Sequence, residues 1–278
     1  MKRLIFCLTL AALYVMPSTS NAQVIAPSDD GIIPDAPKDY HHNQVFPYPY
    51  LREADMMWST RHWERIDLRQ KMNLHLYYPV QAIPDRKSLY DVIIDGIMTE
   101  GTIIEVFADD RFETPLTAEQ AAGYVQMIDT IKDPDDPSII LLIDTTSITS
   151  KDVKFWEIKS DWFFDKQRGE LKNRILGISP IVENPKTLEK YNLFWVWFPD
   201  ARMALATHTA FNGHNNSSRL TYDQVFHLRF FDSVIYKEDN VYDREIEEYK
   251  RSTRLDQLLE AERIKNNLRN MEAELWEY

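Results

Sequence analysis

The chain has 278 residues, 44% of them hydrophobic and 12% aromatic, with 32 Lys and Arg against 44 Asp and Glu for a formal net charge of −12. That length builds one large domain or two small ones. The acidic balance argues against a nucleic-acid surface, which needs a basic face to displace counterions, and disfavours docking by charge on anionic lipid.

Lys2 and Arg3 precede an apolar run from Leu4 to Met16, and Ser20-Asn21-Ala22 stand before Gln23. Residues 1–22 therefore read as a secretory signal peptide, too short to span a bilayer. The expected mature chain is exported, soluble and more acidic still. Cys7, the one cysteine, falls inside the leader behind the bulky Phe6, which argues against a lipid-anchored cysteine. A mature chain without thiols excludes disulfide, zinc-thiolate and cysteine-nucleophile chemistry.

Residues 23–50 carry Pro27, Pro34, Pro37, Pro47 and Pro49 and close on Phe-Pro-Tyr-Pro-Tyr, which predicts an extended arm. Two readings stand side by side: a disordered leader, or an arm gripping a neighbouring subunit through Phe46, Tyr48 and Tyr50. His41 and His42 lack a preorganised third ligand for a metal. Over residues 54–79 the sequence predicts a short helix followed by a strand. There Arg61, Glu64, Arg65, Asp67 and Arg69 are threaded between Trp58, Trp63, Ile66 and Leu68. This mixture suits a contact surface, where Trp and Arg are over-represented as anchors, and equally suits a solvated sheet face with cross-strand ion pairs. Trp58, Arg61, Trp63, Arg65 and Arg69 are the candidate interface band.

Ser88 and Asp91 mark a helix start with Leu89, Ile93 and Ile97 facing inward, and Gly101 stops it. A strand is expected over Thr102–Phe107, then a helix capped by Thr117 and Gln120 that runs to about Ile128. The acidic loop Lys132–Ser138 lacks the turn glycine and distal glutamate of a calcium loop and reads as a polar turn. Ser138–Asp144 reads as a strand buried on both faces. Val153–Asp165 and Glu170–Val182 form a predicted hairpin with Gly169 in the turn. Trp156, Ile158, Trp162 and Phe164 would pack one face of its first strand, with Glu157, Lys159, Asp161 and Asp165 wet on the other. Leu193–Phe198 is an unbroken apolar run, predicted as a central strand buried on both faces and as the part the rest folds around. Pro199 ends it, and Asp200 caps a helix bearing Met203, Ala206 and Ala210. A further helix capped by Thr221 and Gln224 would turn Val225 and Leu228 inward, ahead of a strand at Ser233–Tyr236.

From Asn240 the composition turns helical and charged, with a helix start at Thr253 and Asp256. Ala261, Ile264, Leu268, Met271, Leu275 and Tyr278 draw one apolar stripe. Glu272, Glu274 and Glu277 oppose the helix dipole at the end, so Met271, Leu275 and Trp276 are expected to dock on the body or on another subunit.

The HExxH, GxSxG and GxxxxGK patterns are absent, and His208 and His214 are poorly spaced for one metal. No catalytic, cofactor or metal residue is assigned. A glycoside hydrolase needs only two carboxylates and aromatic platforms, so a periplasmic glycan-binding protein or hydrolase is the alternative function. Against it, the seven Trp fall mainly in apolar strands or charged interleaved segments.

Three segments carry a resemblance: MMWSTRHWERIDLRQKMNLHLYYP, FWVWFPDARMALA, and VIYKEDNVYDREIEEY through LLEAERIKNNLRNMEAELWEY. Together they resemble the GldN (PorN) family of the Bacteroidota gliding-motility and type IX secretion machinery, over about Arg52–Tyr278. The resemblance implies a non-catalytic periplasmic subunit that joins a GldK-type (PorK-type) outer-membrane lipoprotein in a ring with copies of itself. It also implies contact with the GldM-type (PorM-type) motor subunit. The expected fold class is α+β. It would comprise a mainly antiparallel, partly mixed sheet with short flanking helices over 51–239, the extended N-terminal arm over 23–50, and a C-terminal helical segment over 240–278.

Overall fold

The computed structural model describes residues 45–83, 86–132, 140–183, 190–213 and 220–276. The expected signal peptide, the expected arm up to residue 44 with His41 and His42, most of the acidic loop after Lys132, His214 and Tyr278 lie outside the described residues. A 3₁₀ turn at Glu53–Asp55 leads into the long strand β1 (Met56–Asp67), and a one-turn helix, α1 (Leu74–Tyr77), follows. Helix-then-strand was expected for this stretch; the order is reversed. The apolar and charged residues of 56–67 alternate between two covered sheet faces, a burden a half-wet strand pattern does not reveal.

Helix α2 (Leu89–Met98) starts where expected: the Ser88 hydroxyl accepts the Asp91 N–H at 3.1 Å, and Leu89, Ile93 and Ile97 are buried. Gly101 takes φ +63° just past its end. The strand expected over 102–107 is realised only as β2 (Val106–Phe107), which pairs with β3 (Pro115–Leu116). Ile104, in the middle of the β-branched run, is 84% exposed. Thr117 and Gln120 close a reciprocal capping box on α3 (Ala118–Tyr124). That helix stops short of Ile128 because β4 (Gln126–Lys132) begins there and pairs with β5 (Ile140–Ser147) in a separate ribbon. The burial predicted for Ser138–Asp144 lies outside the described side chains.

The hairpin β6 (Val153–Asp165) and β7 (Glu170–Glu183) is as predicted, with Gly169 at φ +65° in its turn. After β8 (Lys190–Asn192), the apolar run yields a strand of three residues, β9 (Trp195–Trp197), although Leu193 to Val196 are all buried. Helix α4 (Phe198–Thr207) follows with Pro199 in its first turn; its N-cap is Trp197 rather than Asp200, whose charge instead complements the helix dipole. Met203 is 59% exposed, and Ala201, Ala204 and Leu205 face the core in its place. The short strands β10 (Thr209–Ala210) and β11 (Leu220–Thr221) pair with each other. Thr221 and Gln224 box α5 (Tyr222–His227) as expected, but Leu228 is its exposed C-cap residue, and Tyr222, Val225 and Phe226 turn inward. Strand β12 (Val234–Glu238), a turn of helix α6 (Ile246–Tyr249) and the long α7 (Arg254–Trp276) complete the order.

The main sheet runs β12-β1-β6-β7-β9-β2-β3, with β8 also on β7, and its pairings are antiparallel. This is the expected α+β architecture, though its axis is the β6–β7 hairpin with β1 rather than the short β9. The principal core lies between one sheet face, with Ile66, Trp156, Ile158, Ile178 and Val196, and helices α2, α4 and α5. A smaller cluster of Ile235, Ile246, Ala261 and Ile264 seats α7 on β12.

The other sheet face overturns one expectation. Glu157, Lys159 and Asp165 are buried rather than wet; Asp161 alone is partly exposed. This face is roofed by aromatic side chains: Trp63, Phe107 and Trp195, with Phe112, Trp197 and Tyr236 packed against them. Phe112 adopts φ +60°, a region a bulky residue rarely occupies. Its ring fills the space above Gly177, where an added Cβ would stand 2.4 Å from it. The charges beneath are tolerated because each meets an opposite charge or a hydrogen bond.

Candidate interaction surfaces

Period-two alternation on β1 sends Arg61, Trp63 and Arg65 to the roofed face, opposite Asp161, Lys159 and Glu157. Arg61 holds Asp161 through two bonds of 2.6 and 2.9 Å. Arg65 donates to Glu157 at 2.7 Å and lies 4.7 Å from the Tyr236 ring centre. Beyond the strand, Arg69 pairs with Asp67 at 2.8 Å over the Phe155 ring. These guanidinium groups keep exposed edges and form a band. Trp63 lies beneath it: 6% exposed, it donates its indole N–H to Asp110 at 2.9 Å, with the Lys159 and Lys237 ammonium groups 5.4 and 4.6 Å from its ring centre. Lys159 donates to the Asp110 carbonyl, and burial pushes its ammonium pKa down while Asp110 offsets part of that. Trp58 pairs with Phe164 on the opposite face, so the structure does not bring it to the band. Met271 is half-buried on α7, and the side chains of Leu275 and Trp276 lie outside those described. Earlier on that helix, Leu255, Leu258 and Leu259 are exposed.

Two groups of buried charge escaped the sequence reading. Arg202 and Asp223, 5% and 1% exposed, join α4 to α5 through bonds of 2.7 and 3.1 Å. Arg202 stands four residues after Phe198 and three before Leu205, on the buried stripe, so spacing alone signalled a charge in need of a partner. Asp223 sits on another element, and no local pattern points to it. The second group is Glu64, 2% exposed, which accepts from Arg229 and Ser233 at 2.5 Å each. Burial alone would raise the Glu64 pKa, but Arg229 and the Ser233 hydroxyl overcome it and hold the carboxyl below its ordinary range. Arg229, at φ +51°, also donates to Asn173 at 3.0 Å and lies 5.0 Å from the Trp162 ring centre.

Arg229 and Trp162 separate two clefts. One, of about 400 Å³, lies between the sheet and α7 and is lined by Glu64, Trp162, Phe231, Leu268 and Arg269. The other, of about 380 Å³, runs from Trp162 to the chain entering at Phe46–Pro49. A tryptophan beside a carboxylate has the look of a glycan site, yet Glu64 is held ionised, the opposite of the raised pKa a glycosidic general acid needs. Among the described residues no three His, Asp or Glu side chains gather to hold a metal, and no helix is long and apolar enough to cross a membrane.

The chain is thus an α+β protein in which the buried Glu64, Glu157, Lys159, Asp165, Arg202 and Asp223 are paired internally and the described surface offers guanidinium edges and exposed leucines. It belongs to the GldN family: the model for gliding motility associated protein GldN matches residues 51–277, nearly the whole described body. Membership makes it a gliding-motility-associated component. No curated protein matches the chain.

Proposed function

We propose that this chain is a non-catalytic structural subunit of the periplasmic ring of the type IX secretion and gliding machinery. In this reading it assembles with copies of itself and a GldK-type outer-membrane lipoprotein, and contacts the GldM-type motor subunit. The observation that carries the proposal is the GldN match over 51–277. The paired state of the buried charges adds support, since Glu64, Glu157, Lys159, Asp165, Arg202 and Asp223 each meet an internal partner. The arginine band of β1 and the end of α7 are the proposed contact surfaces, the segment before residue 51 is the proposed arm, and the leader at 1–22 directs export.

Co-expression with the lipoprotein and motor subunits tests the assembly. The expected result is stoichiometric co-purification with the lipoprotein in a large particle. A mature chain that purifies alone while the lipoprotein is present and folded would defeat the reading. For the band, Arg69→Glu is the informative change: Arg69 is 65% exposed and its side-chain partner is the nearby Asp67, so a loss of partner capture without loss of fold would place it at a contact.

A further inference from the structure

Val45–Tyr50 has no regular secondary structure, yet side chains of the body, among them the buried pair Arg202 and Asp223, hold it. The Phe46 carbonyl accepts from Arg202 Nη2 at 2.6 Å, and the Phe46 N–H points to Asp223 Oδ2 at 3.4 Å. One buried ion pair therefore reads both backbone groups of one extended residue. The Phe46 ring stacks on His227, centres 5.8 Å apart and planes 12° apart. Tyr48 lies under the Arg202 guanidinium at 4.2 Å and beside that of Arg174 at 5.2 Å, and Arg174 closes the site by donating to the Pro49 carbonyl at 2.9 Å. Pro47 and Pro49 have no N–H to satisfy and stiffen the segment before it binds. Alternating aromatics and prolines against a guanidinium and aromatic groove are how extended proline-rich peptides are recognised.

Tyr50, Leu51 and Arg52 join the segment to the 3₁₀ turn Glu53–Asp55 that leads into β1, and Tyr50 is 81% exposed. Three extended residues span about 10 Å, enough to redirect the strap away from its own groove. We infer that the groove of Arg174, Arg202, Asp223 and His227 is a receptor for the Phe46–Pro49 segment, and that in the assembly it is occupied by the strap of a neighbouring copy. Exchange makes the same contacts in trans as in cis. The short tether favours cis in dilute solution, and adjacency of copies removes that advantage. This rests on the proposed side-by-side packing of copies, but the groove can be tested with this chain alone.

The acceptor is the mature chain carrying F46A and Y48A, which strips the strap of its ring contacts with His227 and the guanidinium groups, leaves only backbone contacts to hold it in cis, and does not touch the body. The probe is a fluorescent peptide of residues 43–52. Saturable binding to the acceptor, at least about ten-fold tighter than to the unaltered chain and lost from a peptide carrying F46A, is expected. A folded acceptor that ignores the peptide, or that binds it no better than the unaltered chain does, overturns the receptor. For exchange, a ¹⁵N-labelled chain with benzoylphenylalanine at Tyr50 is mixed with unlabelled acceptor and irradiated. Crosslinked peptides of mixed isotope joining residues 45–52 to Leu171–Ile175 or Phe226–Arg229 are expected; crosslinks of one isotope only overturn the exchange. Neither result depends on the lipoprotein, so failure here leaves its co-purification a separate matter.

Discussion

Glu64 ties β1 to the segment after α5 through Arg229 and Ser233, and its ionisation makes the body acid-sensitive. Its folded pKa lies below the ordinary value near 4.5. The stabilisation is therefore complete above that value and is lost as pH falls through the lower folded pKa, because the unfolded chain takes up the proton first. Urea unfolding at neutral pH and near pH 3 should show the loss. Glu64→Gln should cost about 3 kcal/mol at neutral pH by stranding Arg229 and should flatten the acid dependence; an unchanged slope would remove Glu64 as its source. Trp63 is the second case. Truncation to Ala should lower stability by about 3–5 kcal/mol, whereas Arg69→Ala should stay within about 0.5 kcal/mol, and thermal melts of the two separate core from rim. The threading of arginines between Trp58 and Trp63 was legible in the sequence, but a clean alternation was not. What it could not show is that a loop about 45 residues away in the chain, Asp109–Phe112, roofs the indole. Gly177, in the sheet beneath that roof, leaves room for the Phe112 ring: Gly177→Ala should cost about 1–3 kcal/mol, and Phe112→Ala in the same chain should recover part of it, a coupling that a double-mutant cycle measures.

Elements whose signals are local were readable in advance. The β6–β7 hairpin announces itself by two long strand-like runs around Gly169, α3 and α5 by their capping boxes, and α7 by a stripe whose first three members, Ala261, Ile264 and Leu268, are buried. Elements defined by distant partners were not. β2 is only two residues long because β9 and β3 pair with no more of the run than Val106 and Phe107, and nothing in Thr102–Phe107 encodes that limit. The wet face expected on β6 failed for the same reason: alternation separates two faces but is silent on whether the second is roofed. For α7, the buried stripe precedes residue 271, so deleting 271–278 should leave the melting temperature within a few degrees. Assembly with partners should fall if the end docks outside the chain. Melting and co-purification of the truncated chain check both halves, and a large drop in melting temperature would put the docking site on its own body.

At the scale of the molecule, the net charge of −12 sets a constraint on any assembly of identical copies. Removal of the proposed leader would take away Lys2 and Arg3 and make each copy more acidic. Copies placed side by side therefore repel over distances comparable to the Debye length, about 30 Å at 0.01 M salt and about 8 Å at 0.15 M. Short-ranged attractions that oppose this are the exposed Leu255, Leu258 and Leu259 and the strap's stacked and backbone contacts. Salt screens the long-range repulsion more than it weakens partly buried or apolar contacts. Self-association of the mature chain should accordingly strengthen between about 0.02 and 0.3 M NaCl, read as a rising weight-average sedimentation coefficient at fixed concentration. Weakening over that range would mean that exposed opposite charges hold the copies together, moving the contact from the leucines and the strap to the arginine band and an acidic patch on the neighbour.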